Sequence, residues 1–163
     1  MEIWGGEFPV LCTVVGTLNI HGDVNLPMLV SAGGSVYIYD TLEVPSLNSI
    51  GGSLFIKGRA KLPVLMSVRE KLHAFASCWL PVLMEVGDEV NISAFAQLPM
   101  LSRIKGGLEI NEAAKLPALT EVCGRVRIKA NKTAVIPFLA FVNGTPCELG
   151  RYQNANAKDF PWW

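Results

Sequence analysis

Proline recurs along this chain at a fixed interval, and that interval constrains the fold more than any other feature. Seven prolines follow one another at a constant step, and an eighth follows after a slightly longer one. Self-similarity at a fixed period is typical of solenoids, in which each repeat buries its apolar face on the next one. The prolines in this register are Pro9, Pro27, Pro45, Pro63, Pro81, Pro99, Pro117 and Pro137.

The residues around each proline follow the pattern Leu-Pro-x-Leu-x-x-Val-Gly-Gly-x-Leu-x-Ile, shown most clearly between Val44 and Ile56. Apolar residues alternate at Leu54 and Ile56, which predicts a strand with one buried face. Before the glycines the apolar spacing is three residues, which favours a 3₁₀ or polyproline-like turn over a second regular sheet. The sequence therefore predicts an all-β fold, a single parallel β-solenoid (β-helix) of about seven 18-residue coils.

Glycine recurs at one corner of the predicted coil, at positions that include Gly16, Gly34 and Gly52. A tight turn with a positive φ angle admits glycine far more readily than any other residue. We therefore interpret this glycine column as structural, and we expect positive φ angles along it.

The ends of a solenoid expose apolar layers and unpaired strand edges, so both ends require caps. We assign residues 1–142 to the solenoid, with Met1 to Phe8 as an N-terminal cap to which Ile3 and Trp4 contribute. The non-repetitive residues 143–163 are assigned to a C-terminal capping tail. Its terminal Trp162 and Trp163 are interpreted as cap residues, with contact to a partner as the alternative.

Copies of the repeat, such as Leu26 to Ile38 and Leu98 to Ile110, resemble a shortened leucine-rich repeat of the receptor L-domain kind. They are also similar to short-repeat solenoid proteins of tailed phages and prophages. The resemblance covers roughly residues 8 to 142 and implies a binding scaffold. The chain lacks the asparagine ladder of leucine-rich repeats, and no catalytic or ligand residue is carried over from such a family.

The charge balance and hydropathy of the chain favour neither a nucleic-acid partner nor a membrane. Lysine plus arginine balance aspartate plus glutamate at 14 each, so no net field draws the protein toward nucleic acid or an anionic membrane. No run of about 18 apolar residues occurs, and the N-terminus does not resemble a signal peptide. The four cysteines are widely separated and are interpreted as reduced, buried or half-buried thiols. Together these features predict a cytoplasmic protein.

Aromatic side chains cluster at outward positions of the predicted strands in the second to fourth coils and around the adjoining corner. Exposed aromatic patches with interleaved cations are typical of protein interfaces. The alternative is cross-strand stacking that stabilises the sheet alone, at about 0.2 to 1 kcal/mol for each pair. The candidate partner-binding residues are Tyr37, Tyr39, Phe55, Lys57, His73, Phe75, Trp79 and Phe95.

The last regular strand places Arg125, Arg127 and Lys129 at outward positions, where they could bind an anion or an acidic surface. Glu109 lies one coil before Arg127 in the same column, so cross-strand pairing with this carboxylate is the alternative.

A second apolar stripe lies beside the prolines and is rich in methionine. Such strips serve either as adaptable contacts, including homodimer seams, or as buried lining between coils. The sequence leaves the direction of these side chains open. The stripe comprises Val10, Met28, Val64, Val82, Met100 and Phe138, with Met66 and Met84 nearby.

Catalytic motifs are weak in this chain. Glu70 and Asp88 fall on adjacent coils, roughly 5 Å apart at the backbone, a spacing that a retaining glycosidase would need. Both lie at a predicted solvated corner, however. His21 and His73 are three coils apart, too far to share a metal ion. The sequence therefore predicts no enzyme activity, no metal and no cofactor.

The leading hypothesis is a non-enzymatic binding protein whose aromatic face engages a bacterial host protein. The phage resemblance implies an inhibitor of host defence. One alternative is a virion-associated adhesive module that binds a glycan. The other is a protein that sequesters a small anionic ligand through the basic strand or at an oligomer seam.

Overall fold

The computed structural model of the protein describes residues 1–129 and 132–146, and it is a parallel β-solenoid whose coils follow the proline repeat. We number the coils 1 to 8 by their prolines, from Pro9 to Pro137. Each regular coil has three sides, and the equivalent sides of successive coils hydrogen-bond to each other as three parallel sheets. The all-β solenoid predicted from the repeat is therefore confirmed, with an additional coil.

Sheet 1 is the face formed by the alternating Leu-x-Ile segments. Their parallel register joins each residue to its equivalent in the next coil, as in Tyr37 beside Phe55. A first strand, at the N-terminus, pairs with the second in a register one residue shorter than the repeat, with a bulge between Trp4 and Gly6. The strands are Glu2–Glu7, Leu18–Asn25, Val36–Ile38, Leu54–Ile56, Leu72–Ala74, Val90–Ile92, Leu108–Ile110 and Val126–Ile128.

Sheet 2 lies before the glycine corner and consists of strands of two residues each. The prediction that this side is not a regular sheet was wrong, because strands this short leave no alternation in the sequence. The strands are Thr13–Val14, Ser31–Ala32, Ser49–Ile50, Ser67–Val68, Glu85–Val86, Arg103–Ile104, Glu121–Val122, Phe141–Val142 and Thr145–Pro146.

Sheet 3 follows sheet 1 after a second corner and leads into the next proline. It too is built from strands of two residues, which the repeat pattern did not predict. The strands are Leu42–Glu43, Ala60–Lys61, Cys78–Trp79, Ala96–Gln97, Ala114–Lys115 and Ala134–Val135.

The third corner is the Leu-Pro-x-Leu turn. In coil 4 the amide of Leu65 donates to the carbonyl of Leu62 at 3.3 Å, which closes a four-residue turn with Pro63 in its second position. Proline fits there because its fixed φ angle matches that of the turn. Both leucines are fully buried, so the turn that reverses the chain also supplies core residues.

The interior is apolar along its whole length, and each coil contributes side chains from all three sides. Leu54 and Ile56 enter from sheet 1, Ile50 from sheet 2 and Ala60 from sheet 3, and all are at most 2% exposed. The one buried polar side chain among the described residues is Ser53, whose hydroxyl donates to a Glu70 carboxylate oxygen at 3.0 Å. Burial of apolar area therefore dominates the stability of the stack.

The glycine column does not have the positive φ angles that we expected. Within the described residues, positive φ glycines occur at Gly5, Gly6, Gly22 and Gly144 and not in this column. Glycine is favoured in this column because the backbones of neighbouring coils pack closely there. A Cβ atom built on Gly52 would lie 2.7 Å from the backbone carbon of Gly34. Coils 4 and 5 carry Glu70 and Asp88 in this column, so some coils accommodate a side chain.

At the N-terminal end of the rod, one of the two predicted cap residues is buried and the other is not. Ile3 is buried as expected, whereas Trp4 is 72% exposed and lies on the outer face of sheet 1. At the other end, Asn143 and Gly144 both have positive φ angles and form a tight hairpin that pairs Phe141–Val142 with Thr145–Pro146. The predicted cap residues Trp162 and Trp163 lie outside the described residues.

The close approach of the coils predicts unequal effects of alanine within the glycine column. Gly52→Ala should lower the free energy of unfolding by about 1 to 3 kcal/mol, because its Cβ meets the backbone of the preceding coil. Gly16→Ala is the matched control, since no atom lies within 4 Å of its added Cβ and its φ angle is not positive. Urea unfolding of both variants measures the difference, and equal stability of the two would contradict this account.

Candidate functional site: an aromatic ladder on sheet 1

The outer face of sheet 1 carries two columns of stacked rings, because parallel pairing in register places equivalent side chains on neighbouring strands. In the central column, Tyr37 stacks on Phe55 with ring centroids 4.6 Å apart, and Phe55 stacks on His73 at 5.0 Å. The ring planes differ by 4° in the first pair and by 11° in the second. Stacking at this spacing follows the separation of the strands, so the backbone ladder sets the ring geometry.

A second column runs beside the first, nearer the corner with sheet 3. Trp4 stacks on His21 at 4.0 Å, and His21 stacks on Tyr39 at 4.1 Å. The Lys57 ammonium lies 4.5 Å from the centre of the Tyr39 ring, which continues the column with a cation–π contact. Phe75 joins the two columns through its contact with His73 at 5.9 Å. We call these eight side chains the aromatic ladder: Trp4, His21, Tyr37, Tyr39, Phe55, Lys57, His73 and Phe75.

The structure brings together six of the eight predicted partner-binding residues. Trp79 instead lies on sheet 3, between Lys61 and Gln97 on the neighbouring strands. Phe95 lies just before its sheet 3 strand, at the corner between sheets 1 and 3, and is 58% exposed. Among the described residues no ring contact joins either of them to the ladder. They belong to an adjoining face.

Sequence reasoning missed Trp4 and His21 as members of the ladder. The repeat places His21 in the correct outward column but does not single it out as a contact residue. Counting one full repeat back from His21 reaches Ile3, so the repeat pattern gives Trp4 no place in this column and we assigned it to the cap. The first step is one residue shorter, which places Trp4 beside His21. The irregularity coincides with Gly5 and Gly6, and this glycine pair was the one available signal for a change of register.

The orientation of the rings decides what they can contact. Stacked rings turn their faces toward each other along the rod, so their edges point to solvent. Tyr37, Tyr39, Phe55 and His73 are half-buried, which agrees with this orientation. The surface therefore offers ring edges, the Tyr37 and Tyr39 hydroxyls and the Lys57 ammonium, held in a fixed arrangement.

Beyond the ladder the same face becomes polar. Asn91 donates to Glu109 at 2.9 Å, and Ser93 donates to Asn91 at 2.8 Å. Asn111 donates to Asn91 at 3.3 Å, which adds a second hydrogen bond between coils 5 and 6. These hydrogen bonds form a boundary between the aromatic part of sheet 1 and its basic end.

The predicted anion site is partly occupied by carboxylates. Arg125 and Arg127 line a shallow hollow of about 180 Å³ together with Glu89 and Glu109. Arg127 lies directly beside Glu109 in the parallel register, as the alternative reading of the sequence proposed. Lys129 is exposed at the edge of this strand. The hollow therefore combines two guanidinium groups with two carboxylates.

The two carboxylates of the candidate catalytic pair contact different side chains. Glu70 accepts a hydrogen bond from Ser53 at 3.0 Å, whereas Asp88 lies 4.0 Å from the Lys71 ammonium. Each carboxylate thus has a separate partner.

No group of three or more potential metal ligands occurs among residues 1–129 and 132–146. In the same residues no helix is long and apolar enough to cross a membrane.

The cysteines agree only in part with the predicted buried or half-buried thiols. Burial raises the pKa of Cys78 to about 12, and Cys123 is half-buried. Cys12, in contrast, is exposed because it lies on the outside of the first proline turn. Cys147 lies outside the described residues.

The surroundings of His73 in the ladder change its pKa. Desolvation between its neighbours lowers its pKa below the ordinary value of 6.5, an effect that Lys71 reinforces and that Glu89, Glu109 and Asp88 oppose. The neutral ring is therefore favoured in the folded protein.

This lowered pKa predicts that the protein loses stability in acid. Since the folded pKa lies below 6.5, the stabilisation is complete above pH 6.5 and is lost as the pH falls through the folded pKa. NMR titration of His73 should give a midpoint below 6.5, and His73→Phe, which keeps the stacked ring, should remove this part of the acid sensitivity measured by urea unfolding. A midpoint at or above 6.5 would contradict the prediction.

Comparison with known proteins finds no family model, no curated protein and no solved structure that matches the chain.

Proposed function

We propose that the protein is a non-catalytic binding module that engages a protein partner through the aromatic ladder of sheet 1. The single observation that carries this proposal is the pair of ring columns that stack across neighbouring coils with their edges toward solvent. Tyrosine and tryptophan are among the usual anchors of protein interfaces.

Rigidity supports this proposal. Each ring is held by a neighbour on the adjacent strand, and each strand is held by the backbone ladder. Side chains that are immobile before binding lose little conformational freedom when a partner docks. Contacts of the ladder would therefore contribute more fully to affinity. Contacts of mobile side chains contribute less, because part of their free energy is offset by the entropy lost when those side chains become ordered.

Ring orientation favours a protein over a glycan at this face. Sugars stack on exposed aromatic faces, but in the ladder most faces are covered by the neighbouring ring. A protein partner can use edges, hydroxyls and the Lys57 ammonium. The partner that we propose is a bacterial host protein, with the module acting as a phage-encoded inhibitor of host defence in the cytoplasm. That identity depends on the resemblance of the repeat to short-repeat phage proteins and not on the site.

The glycan alternative is favoured by a different feature. Trp79 is 40% exposed on sheet 3, and its nearest outward neighbours are Lys61 and Gln97, which provide hydrogen-bonding groups beside an unstacked ring. An adhesive module would use this face and Phe95 in place of the ladder.

Substitution within the ladder tests the proposal. Tyr37→Ala/Phe75→Ala should weaken capture of a bacterial protein by the tagged full chain by about tenfold or more, because two anchors are removed. Lys115→Ala, on the exposed side of sheet 3, is the matched control and should leave capture unchanged. The measurement is an affinity pull-down from bacterial lysate followed by titration of the captured protein.

Two further readings complete this test. Thermal unfolding should show that the double variant remains folded, because each lost ring pair contributes only about 0.5 to 1.5 kcal/mol. Undiminished affinity of a folded double variant would contradict the role of the ladder. If the wild-type chain bound a glycan array and Trp79→Ala abolished that binding, sheet 3 and not the ladder would be the binding face.

A further inference from the structure

The corner of the rod opposite sheet 1 carries an exposed apolar ridge. It is formed by the residues one and three positions after each proline, whose direction the sequence left open. The structure shows that these side chains point to solvent, since none of them is buried. Nine large apolar side chains on the ridge are between 37% and 85% exposed: Val10, Met28, Val30, Val64, Met66, Val82, Met84, Met100 and Phe138.

The ridge excludes charge completely. Its remaining positions are occupied by Cys12, Ser46, Asn48, Ser102, Ala118, Thr120 and Ala140, so no Asp, Glu, Lys or Arg occurs in either column. The outward column of sheet 2, one side away, includes Glu85, Arg103 and Glu121. Four of the five methionines of the chain lie on the ridge. The stripe is free of charge along the rod and carries large exposed apolar residues in six of its eight coils. Such a surface is typical of one that a partner covers.

We propose that a second copy of the chain covers this ridge, with the two rods antiparallel and related by a twofold axis between coils 4 and 5. This arrangement places coil 6 of one copy opposite coil 3 of the other, and coil 7 opposite coil 2. Met100 then faces Ser46, and Met28 faces Ala118. At the ends Val10 faces Phe138, and at the centre Met66 faces Met84.

Self-complementarity of size supports the antiparallel arrangement. A twofold interface must fit a copy of itself, so large residues have to meet small ones or meet across the axis. A twofold axis along the rods would instead make them parallel and place the two columns of each coil against each other. Ser46 would then face Asn48, and Ala118 would face Thr120, which leaves gaps at coils 3 and 7. The antiparallel arrangement pairs the large residues of coils 2 and 6 with the small residues of coils 7 and 3.

The extent of the ridge agrees with a stable dimer. With the prolines, all of them at least partly exposed, the corner offers three positions in each of eight coils on each copy. That total falls within the roughly 20 to 30 residues that standard interfaces use from each partner. The ridge lies opposite sheet 1, so the dimer leaves both aromatic ladders accessible, and its existence does not depend on the proposed function.

Opposite charges introduced at the centre of the ridge test both the interface and its direction. The wild-type chain should sediment as a dimer at micromolar concentration. Met66→Glu and Met84→Lys should each weaken self-association on the order of a hundredfold, because each buries an unpaired charge in an apolar contact. An equimolar mixture should recover a heterodimer, since the introduced carboxylate of one copy faces the introduced ammonium of the other only in the antiparallel arrangement.

Val15→Glu is the matched control, because Val15 is an apolar residue 89% exposed outside the ridge, and this variant should remain dimeric. Circular dichroism checks that each variant is folded. A monomeric wild-type chain overturns the proposal, and its binding to lipid vesicles would then assign the ridge to a membrane surface. A dimer that resists both ridge substitutions overturns the interface. Failure of the mixture to associate overturns the antiparallel arrangement.

Discussion

The parallel backbone ladder between successive coils is the constraint on which the rest of this structure depends. It fixes the distance between equivalent residues and aligns them along the rod, so every outward position becomes a column. Ring stacking on sheet 1, ion pairs such as Arg103 with Glu121, and the close contact of Gly52 with Gly34 are consequences of that alignment. The contacts that a side chain makes are therefore set by the residues at equivalent positions in the coils on either side.

Much of the fold follows from the sequence because the repeat is visible seven times over. The proline register and the Leu-x-Ile alternation were sufficient to predict the solenoid, its parallel pairing and the outward columns of sheet 1. The short strands of sheets 2 and 3 were not predictable, since two residues cannot show a periodicity. The glycine column was correctly identified as structural, but its cause is the approach of two backbones, which depends on how the coils stack and not on the turn itself.

The candidate site, like the fold, was predictable from the sequence only where the repeat is regular. Tyr37, Phe55 and His73 could be grouped from the repeat because their register is regular. Trp4 could not, because a bulge shortens the first step by one residue. Ring orientation was also beyond the sequence, yet it determines whether faces or edges are offered to a partner. The direction of the methionine stripe was open for a related reason, since the proline turn has no strand periodicity to assign inside and outside.

The position of the ridge opposite sheet 1 has a consequence for what a paired module could do. Two rods joined at that corner would present their aromatic ladders away from each other. Such a dimer could not grip a single target from both sides, but it could bridge two targets or two sites on an oligomeric one. With a multivalent target, linkage of this kind strengthens overall attachment without any new contact, while with monomeric targets it brings two of them together at a set distance.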